Sequence, residues 1–131
     1  MTKVDSDPIK TRWFIDIDWF AANNRSLSIL LKPLLCAKCL SAIEKPLNEG
    51  TIKDFIDAIQ ACYSHNPDYI SDRLPILEMA FRFIVMRGNQ PIELSTIAEQ
   101  ISKLRGGSQH MWVELLSQLF VNDQFYGFQS I

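Results

Sequence analysis

Five segments of the chain carry apolar residues at the three- and four-residue spacing of a helix, and this pattern constrains the fold most strongly. Each of the first four segments contains or precedes proline, glycine or asparagine, residues that end helices. Serine, threonine or proline stands at or near the start of every segment, as expected for helix caps and first turns. The predicted helices begin near Ser26, Thr51, Pro75, Ser95 and Ser108. The sequence therefore predicts a mainly α-helical protein.

Short extended stretches complete the predicted elements. Between positions 15 and 19, apolar residues alternate with Asp16 and Asp18, which predicts a strand with one solvent-facing side; a helix beginning near Asp18 is the alternative. Residues 91–93 predict a brief extended step, and residues 125–128 predict a terminal strand. We expect one or two short strands beside the C-terminal helices.

The size and composition of the chain limit its class. A chain of 131 residues is long enough for one compact domain or for two small lobes that share a core. Its 47% hydrophobic and 21% charged residues are typical of a globular protein and exclude a disordered chain. With no signal-peptide pattern and no apolar stretch of about 20 residues, the expected location is the cytoplasm.

Every cysteine of the chain belongs to one of two short pairs. The pairs are Cys36-x-x-Cys39 and Cys62-x-x-His65, and an odd count of three cysteines cannot close a disulfide framework. Two such pairs supply the four nitrogen or sulfur ligands of a tetrahedral structural zinc ion, with no position left open for catalysis. Inert cysteines and a redox pair are the alternative interpretations. We expect one structural Zn²⁺ that joins the first two long helices.

The C-terminal part of the chain resembles a winged-helix or helix-turn-helix domain. A central helix is followed by the extended step, by a second helix over residues 94–101, by the turn at residues 105–107 and by a third helix over residues 109–120. The family's wing needs two strands, whereas one predicted strand follows the third helix. Residues 12–17 are the candidate for the missing strand. The resemblance implies that the third helix contacts DNA in the major groove.

The charges of the chain weigh against a strongly basic nucleic-acid surface. Residues 1–70 hold eight basic and nine acidic side chains, and residues 71–131 hold five and six. The third helix carries no lysine or arginine. The predicted contacts to nucleic acid or to a partner are Lys103, Arg105, Gln109 and His110, at the end of the second helix and the start of the third.

These patterns together predict three segments and two classes of function. We expect a flexible leader at residues 1–10, a zinc-binding helical subdomain at 11–70 and a winged-helix-like subdomain at 71–131. The expected function is a non-enzymatic regulator or adaptor that binds DNA, RNA or a nucleoprotein complex. The alternative is a protein-interaction or dimerisation module without nucleic-acid contact; neither a membrane nor a small-molecule substrate is expected. Exposed aromatic residues near the N-terminus are one candidate surface, although packing in the core explains them better.

Overall fold

The computed structural model describes residues 10–35 and 51–131. The predicted leader, apart from Lys10, and the pair Cys36 and Cys39 lie outside these ranges. Within them the chain forms, in order, β1 (Arg12–Ile15), α1 (Ile17–Ala22), α2 (Leu27–Leu31), a 3-10 turn (Lys32–Leu34), α3 (Thr51–Cys62), a 3-10 turn (Tyr63–His65), α4 (Ile76–Met86), β2 (Ile92–Glu93), α5 (Leu94–Arg105), α6 (Gln109–Val121) and β3 (Phe128–Ser130). The prediction of a mainly helical fold is confirmed for the described residues. None of their helices has the length and apolarity that crossing a membrane requires.

The described residues form three strands, where one or two were predicted, because the segment near the N-terminus joins the two C-terminal ones. The strands form one antiparallel sheet in the order β2-β1-β3. On one side of β1, Trp13 lies opposite Ile92; on the other, Ile15 lies opposite Phe128. The prediction that residues 12–17 supply a strand beside the C-terminal one is therefore confirmed for residues 12–15. The N-terminal and C-terminal parts of the chain share this sheet, because β1 lies between two strands that come from the C-terminal part.

Two predicted strand boundaries are wrong. The alternation through Trp19 does not continue as a strand, because Asp16 accepts a hydrogen bond from the backbone N–H of Asp18 and caps α1. The terminal strand begins at Phe128, three residues later than predicted. The preceding residues form a turn around the carboxylate of Asp123, which accepts the backbone N–H groups that a strand would offer to its neighbour.

Local capping chemistry sets some of the helix boundaries and not others, since Ser26, the residue before α2, makes no side-chain capping hydrogen bond. Pro33 stands in the 3-10 turn that ends α2, and the Ser108 side chain caps α6, as predicted. Ser95 does not cap α5. The helix begins at Leu94, whose backbone N–H donates to the carbonyl of Thr11 beside β1, so the chain passes from β2 into the helix without a separate cap.

One apolar core includes residues from both parts of the chain. The ring of Phe120 stacks on Phe128 at 4.1 Å between centroids and meets Trp13 edge-on at 5.1 Å. Trp13 and Phe20 are both buried, so core packing accounts for these two N-terminal aromatic residues. The closely packed aromatic rings join the sheet to α6.

Candidate functional site

The predicted metal ligands fall partly within the described residues. Cys62 is the last residue of α3 and is buried, and His65 is the exposed last residue of the 3-10 turn that follows. Cys62 is disulfide-bonded, and a sulfur in a disulfide has no thiolate to offer a metal. Among residues 10–35 and 51–131, no group of three or more His, Cys, Asp or Glu side chains is placed to hold a metal ion. The four-ligand zinc site stays a prediction, since Cys36 and Cys39 lie outside those ranges.

The two predicted basic contacts lie in the last turn of α5. Lys103 is exposed, and its Nζ lies 3.8 Å from a carboxylate oxygen of Glu99, one helical turn earlier. Arg105 is exposed as well, and its guanidinium donates to the backbone carbonyl of Leu74. Arg105 therefore holds the chain that precedes α4 against the end of α5.

The other two predicted contacts lie in the first turn of α6. The side-chain amide of Gln109 donates to the carbonyl of Ser95 at 2.8 Å, which ties the start of α6 to the start of α5. The imidazole Nε2 of His110 lies 3.2 Å from a carboxylate oxygen of Glu114. The structure brings all four predicted residues to one exposed helix–turn–helix corner, and each has an intramolecular polar partner there.

The turn between α5 and α6 is held by hydrogen bonds at each of its residues. The carbonyl of Gly106 accepts from the indole N–H of Trp112 at 2.7 Å, and the carbonyl of Gly107 accepts from the Ser102 hydroxyl at 2.6 Å. Both glycines have a φ of +82°, a backbone conformation that residues with a Cβ rarely adopt. The corner is therefore a defined surface rather than a loose connection.

The exposed side of α6 carries apolar, amide and acidic side chains and one histidine. Met111, Leu115 and Val121 are exposed on this helix, together with Glu114. The sequence of α6 contains no lysine or arginine. A helix of this chemistry does not provide the cations that neutralise phosphates.

A hydrogen-bonded turn after α6 holds Phe125 at the surface. The carboxylate of Asp123 accepts hydrogen bonds from the backbone N–H groups of Phe125, Tyr126 and Gly127, at 3.0–3.1 Å. Gly127 takes a φ of +70°, and a Cβ there would lie 2.8 Å from the Phe20 ring. The Phe125 side chain is nevertheless 60% exposed. Its exposure on a backbone held by three hydrogen bonds makes it a candidate contact residue.

Phe125 forms one wall of an open cavity of about 490 Å³, the Phe125 cleft. The guanidinium carbon of Arg25 lies 5.0 Å from the centre of the Phe125 ring and 6.0 Å from the ring of Trp19. Ile29, on the neighbouring α2, is 72% exposed. The described residues that line the cleft are Phe20, Asn24, Arg25, Ser26, Ile29, Leu30, Phe125 and Tyr126, and among these Arg25 alone has a charged side chain.

The sequence did not point to Arg25, Ile29 or Phe125 as functional residues. Ile29 lies outside the helical spacing of the leucines that form the apolar face of α2, and this was the one indication in the sequence that its side chain is exposed. Asn24, with a φ of +56°, marks the turn that carries Arg25 towards the aromatic rings, and the pair Asn23-Asn24 is a local indication of such a turn. No local sequence pattern indicates that α2 lies beside the turn that follows α6.

Comparisons with known proteins supply no relative for this chain. No protein-family model matches the chain, and neither a curated protein nor a solved structure matches it. The functional assignment therefore depends on the residues and contacts described above.

Proposed function

We propose that this protein is a non-enzymatic interaction domain of winged-helix-like organisation, and that the Phe125 cleft binds an acidic, apolar segment of a protein partner. The observation that carries the proposal is the exposed Phe125 ring, held on a hydrogen-bonded turn next to the guanidinium of Arg25. Aromatic residues and arginine dominate the binding energy of protein interfaces. The charge of Arg25 favours a carboxylate in the partner, and the exposed Ile29 favours an apolar side chain.

The order of elements supports the winged-helix-like part of the proposal. The series α4, β2, α5, α6 and β3 follows the helix–strand–helix–helix–strand order of that family. The strand that pairs with β3 is β1, which comes from the N-terminal part of the chain rather than from a hairpin. Within the described residues, no hairpin loop therefore extends from β3 to serve as a wing.

Charge favours a protein partner over nucleic acid. Nucleic-acid affinity comes largely from lysine and arginine side chains that neutralise phosphates. The helix α6 has none, and the two cations that precede it in the sequence, Lys103 and Arg105, each have an intramolecular polar partner. The Phe125 cleft, with its exposed aromatic ring and one arginine, instead has the chemistry of a protein interface.

Nucleic-acid or nucleoprotein binding is the second candidate function. It is favoured by the clustering of Lys103, Arg105, Gln109 and His110 at one exposed corner, which includes the first turn of α6, the helix that would enter the groove in a winged helix. This candidate predicts binding to duplex DNA or to RNA that weakens steeply as salt increases and is lost in the double variant Lys103→Gln/Arg105→Gln.

A selection from a displayed peptide library tests the first proposal against the second. We expect enrichment of peptides that combine an apolar side chain with Asp or Glu. Their affinity should fall at least about tenfold in Phe125→Ala and in Arg25→Gln. The matched control is Met111→Ala, which removes an exposed apolar side chain away from the cleft and should leave the affinity unchanged. Peptide affinity that survives Phe125→Ala, or salt-sensitive nucleic-acid binding without peptide binding, would contradict the proposal.

We also propose that Cys36, Cys39, Cys62 and His65 hold a structural zinc ion when Cys62 is reduced. The paired spacing supports this, as does the place of Cys62 and His65 in successive turns at the end of α3. The zinc ion would fasten the chain that follows α2 to the end of α3. The ligand set has no open position, so this ion would stabilise the fold without taking part in a reaction.

A further inference from the structure

A second cavity, the Tyr69 cavity, lies on another part of the molecule and has a volume of about 470 Å³. It opens between α4, α5 and the segment that follows α3. Its lining residues are Tyr63, Ser64, Asn66, Pro67, Tyr69, Ile70, Met79, Phe83, Met86, Ile97, Gln100, Ile101, Lys103 and Leu104. None of these residues lines the Phe125 cleft. Its volume is in the range of cavities that hold small organic ligands.

The deep part of the Tyr69 cavity is apolar and reaches the core. Tyr69, Met79, Phe83 and Ile97 are all buried. The phenolic O–H of Tyr69 donates to the carbonyl of Arg82 at 2.7 Å, so it is already engaged. Methionine side chains adapt their shape to irregular ligands because they are unbranched and flexible. The inner wall therefore suits the hydrocarbon or aromatic body of a ligand.

The rim of the cavity is polar and includes the charged side chain of Lys103. Among the described lining residues, Ser64, Asn66, Gln100 and Lys103 are polar in addition to the two tyrosines, and of these Lys103 carries a charge. The ammonium of Lys103 is mostly exposed and lies 3.8 Å from Glu99, a distance and exposure typical of a weak ion pair. A ligand carboxylate at the rim can therefore form an ion pair with Lys103, and only the weak pair with Glu99 is lost.

We propose that the Tyr69 cavity binds a small amphiphilic carboxylate, with its apolar body between α4 and α5 and its carboxylate at Lys103. An apolar pocket with one cation at its mouth complements one apolar body and one negative charge. The proposal goes beyond partner binding, because the two sites share no lining residue within the part of the chain that the structure describes. It stands or falls independently of the Phe125 cleft.

Methyl NMR on the full chain with ¹³C-labelled methionine tests this site, with decanoate below its micelle concentration as the probe. We expect the methyl resonances of Met79 and Met86 to shift in a saturable way. The resonance of Met111, which is exposed on α6 and does not line the cavity, should stay in place. Absence of shifts at Met79 and Met86, or equal shifts at Met111, would overturn the proposal.

Two variants and two further probes identify the ligand class. Lys103→Gln should weaken decanoate binding about three- to fivefold, as expected for loss of an exposed charge pair, and should leave decanol binding unchanged. Leu104→Trp, at the half-exposed rim, should fill the mouth and abolish the shifts for both probes. Decylammonium should bind more weakly than decanoate. Equal binding of the carboxylate and the ammonium, or no effect of Lys103→Gln, would overturn the assignment of the carboxylate to Lys103.

Discussion

The side-chain amide of Asn89 pairs with the backbone of Ile15 in the way a neighbouring strand would. Its Oδ1 accepts from the Ile15 N–H at 2.8 Å, and its Nδ2 donates to the Ile15 carbonyl at 2.9 Å. Asn89 also has a φ of +59° just after the end of α4. The Asn89 side chain thus continues the hydrogen bonding of β1 beyond the end of β2, and it attaches the sheet to the chain that follows α4.

Removing this amide should destabilise the fold measurably. We expect Asn89→Gly to lower the free energy of unfolding by about 1–3 kcal/mol, because both polar groups of Ile15 lose their partner while glycine tolerates the positive φ. Asn89→Ala should cost about 1 kcal/mol more through backbone strain. Urea unfolding measures both, with exposed Gln90→Ala as the control. A Gly variant as stable as wild type would show that the pairing contributes nothing.

Gly127 should be intolerant of any side chain. An added Cβ would lie 2.8 Å from Cε1 of Phe20 and 3.2 Å from the Trp19 ring, and the φ of +70° disfavours an L-residue. We expect Gly127→Ala to lower the free energy of unfolding by at least about 2 kcal/mol. Gly106→Ala measures backbone strain without a steric contact, because its φ of +82° and ψ of −174° are nearly confined to glycine while no atom lies within 4 Å of its added Cβ. If adding Phe20→Leu, which shortens the side chain that the new Cβ would meet, recovers none of the stability that Gly127→Ala loses in thermal unfolding, the contact with Phe20 is not the cause.

Tyr69 should make the stability of the protein depend on pH in the alkaline range. Burial raises the pKa of its phenol above the usual value, and the nearby Arg82 opposes this only in part. The folded state therefore favours the neutral phenol. The resulting stability is complete below the usual tyrosine pKa of about 10 and is lost as the pH rises above it.

Urea unfolding between pH 8 and pH 12 checks this dependence. We expect Tyr69→Phe to lower the free energy of unfolding at pH 8 by about 1 kcal/mol, since the Arg82 carbonyl loses its donor, and to flatten the alkaline decline. Tyr63→Phe, which changes the neighbouring half-buried phenol, should keep the wild-type decline. A wild-type slope in Tyr69→Phe would be evidence against this origin.

The proposed zinc site predicts a specific dependence on one of the two histidines. Protein purified under reducing conditions should carry about one zinc ion per chain by elemental analysis. Cys62→Ser and His65→Ala should lose the metal and lower the melting temperature, whereas His110→Ala should retain the metal. Reduced protein that contains no zinc and keeps its melting temperature after chelation would exclude the site.

The local pattern of the sequence was sufficient for the helices but not for the surfaces between them. The signals that predicted α2 and α6 are local ones: periodic apolar residues, Pro33 at the end of α2 and the Ser108 cap of α6. Each involves only residues within a few positions of one another, so the sequence was enough to predict both helices. Ser95 was predicted to cap α5 because serine is a common capping residue and stands near the start of that helix. The backbone N–H of Leu94 was instead satisfied by Thr11, a residue far away in the chain.

The candidate contact residues also fall into two groups: those that local sequence patterns predicted and those that only long-range packing brings together. The exposed corner with Lys103, Arg105, Gln109 and His110 was visible in the sequence, because a turn between two amphipathic helices exposes their ends. The Phe125 cleft was not visible, because it needs α2 to lie beside the turn that follows α6. No spacing rule links Arg25 to Phe125.

The sequence by itself therefore determined the helical composition, the main helix boundaries and the candidate zinc pairs, because short-range periodicity, caps and ligand spacing are written in neighbouring residues. Only the tertiary structure decided that β1 lies in the middle of the sheet, between β2 and β3, that Asn89 pairs with Ile15, and that Phe125 meets Arg25 at the surface. Asn89 and Ile15 are 74 positions apart. Contacts over such separations depend on the packing of the whole chain, which no local pattern records.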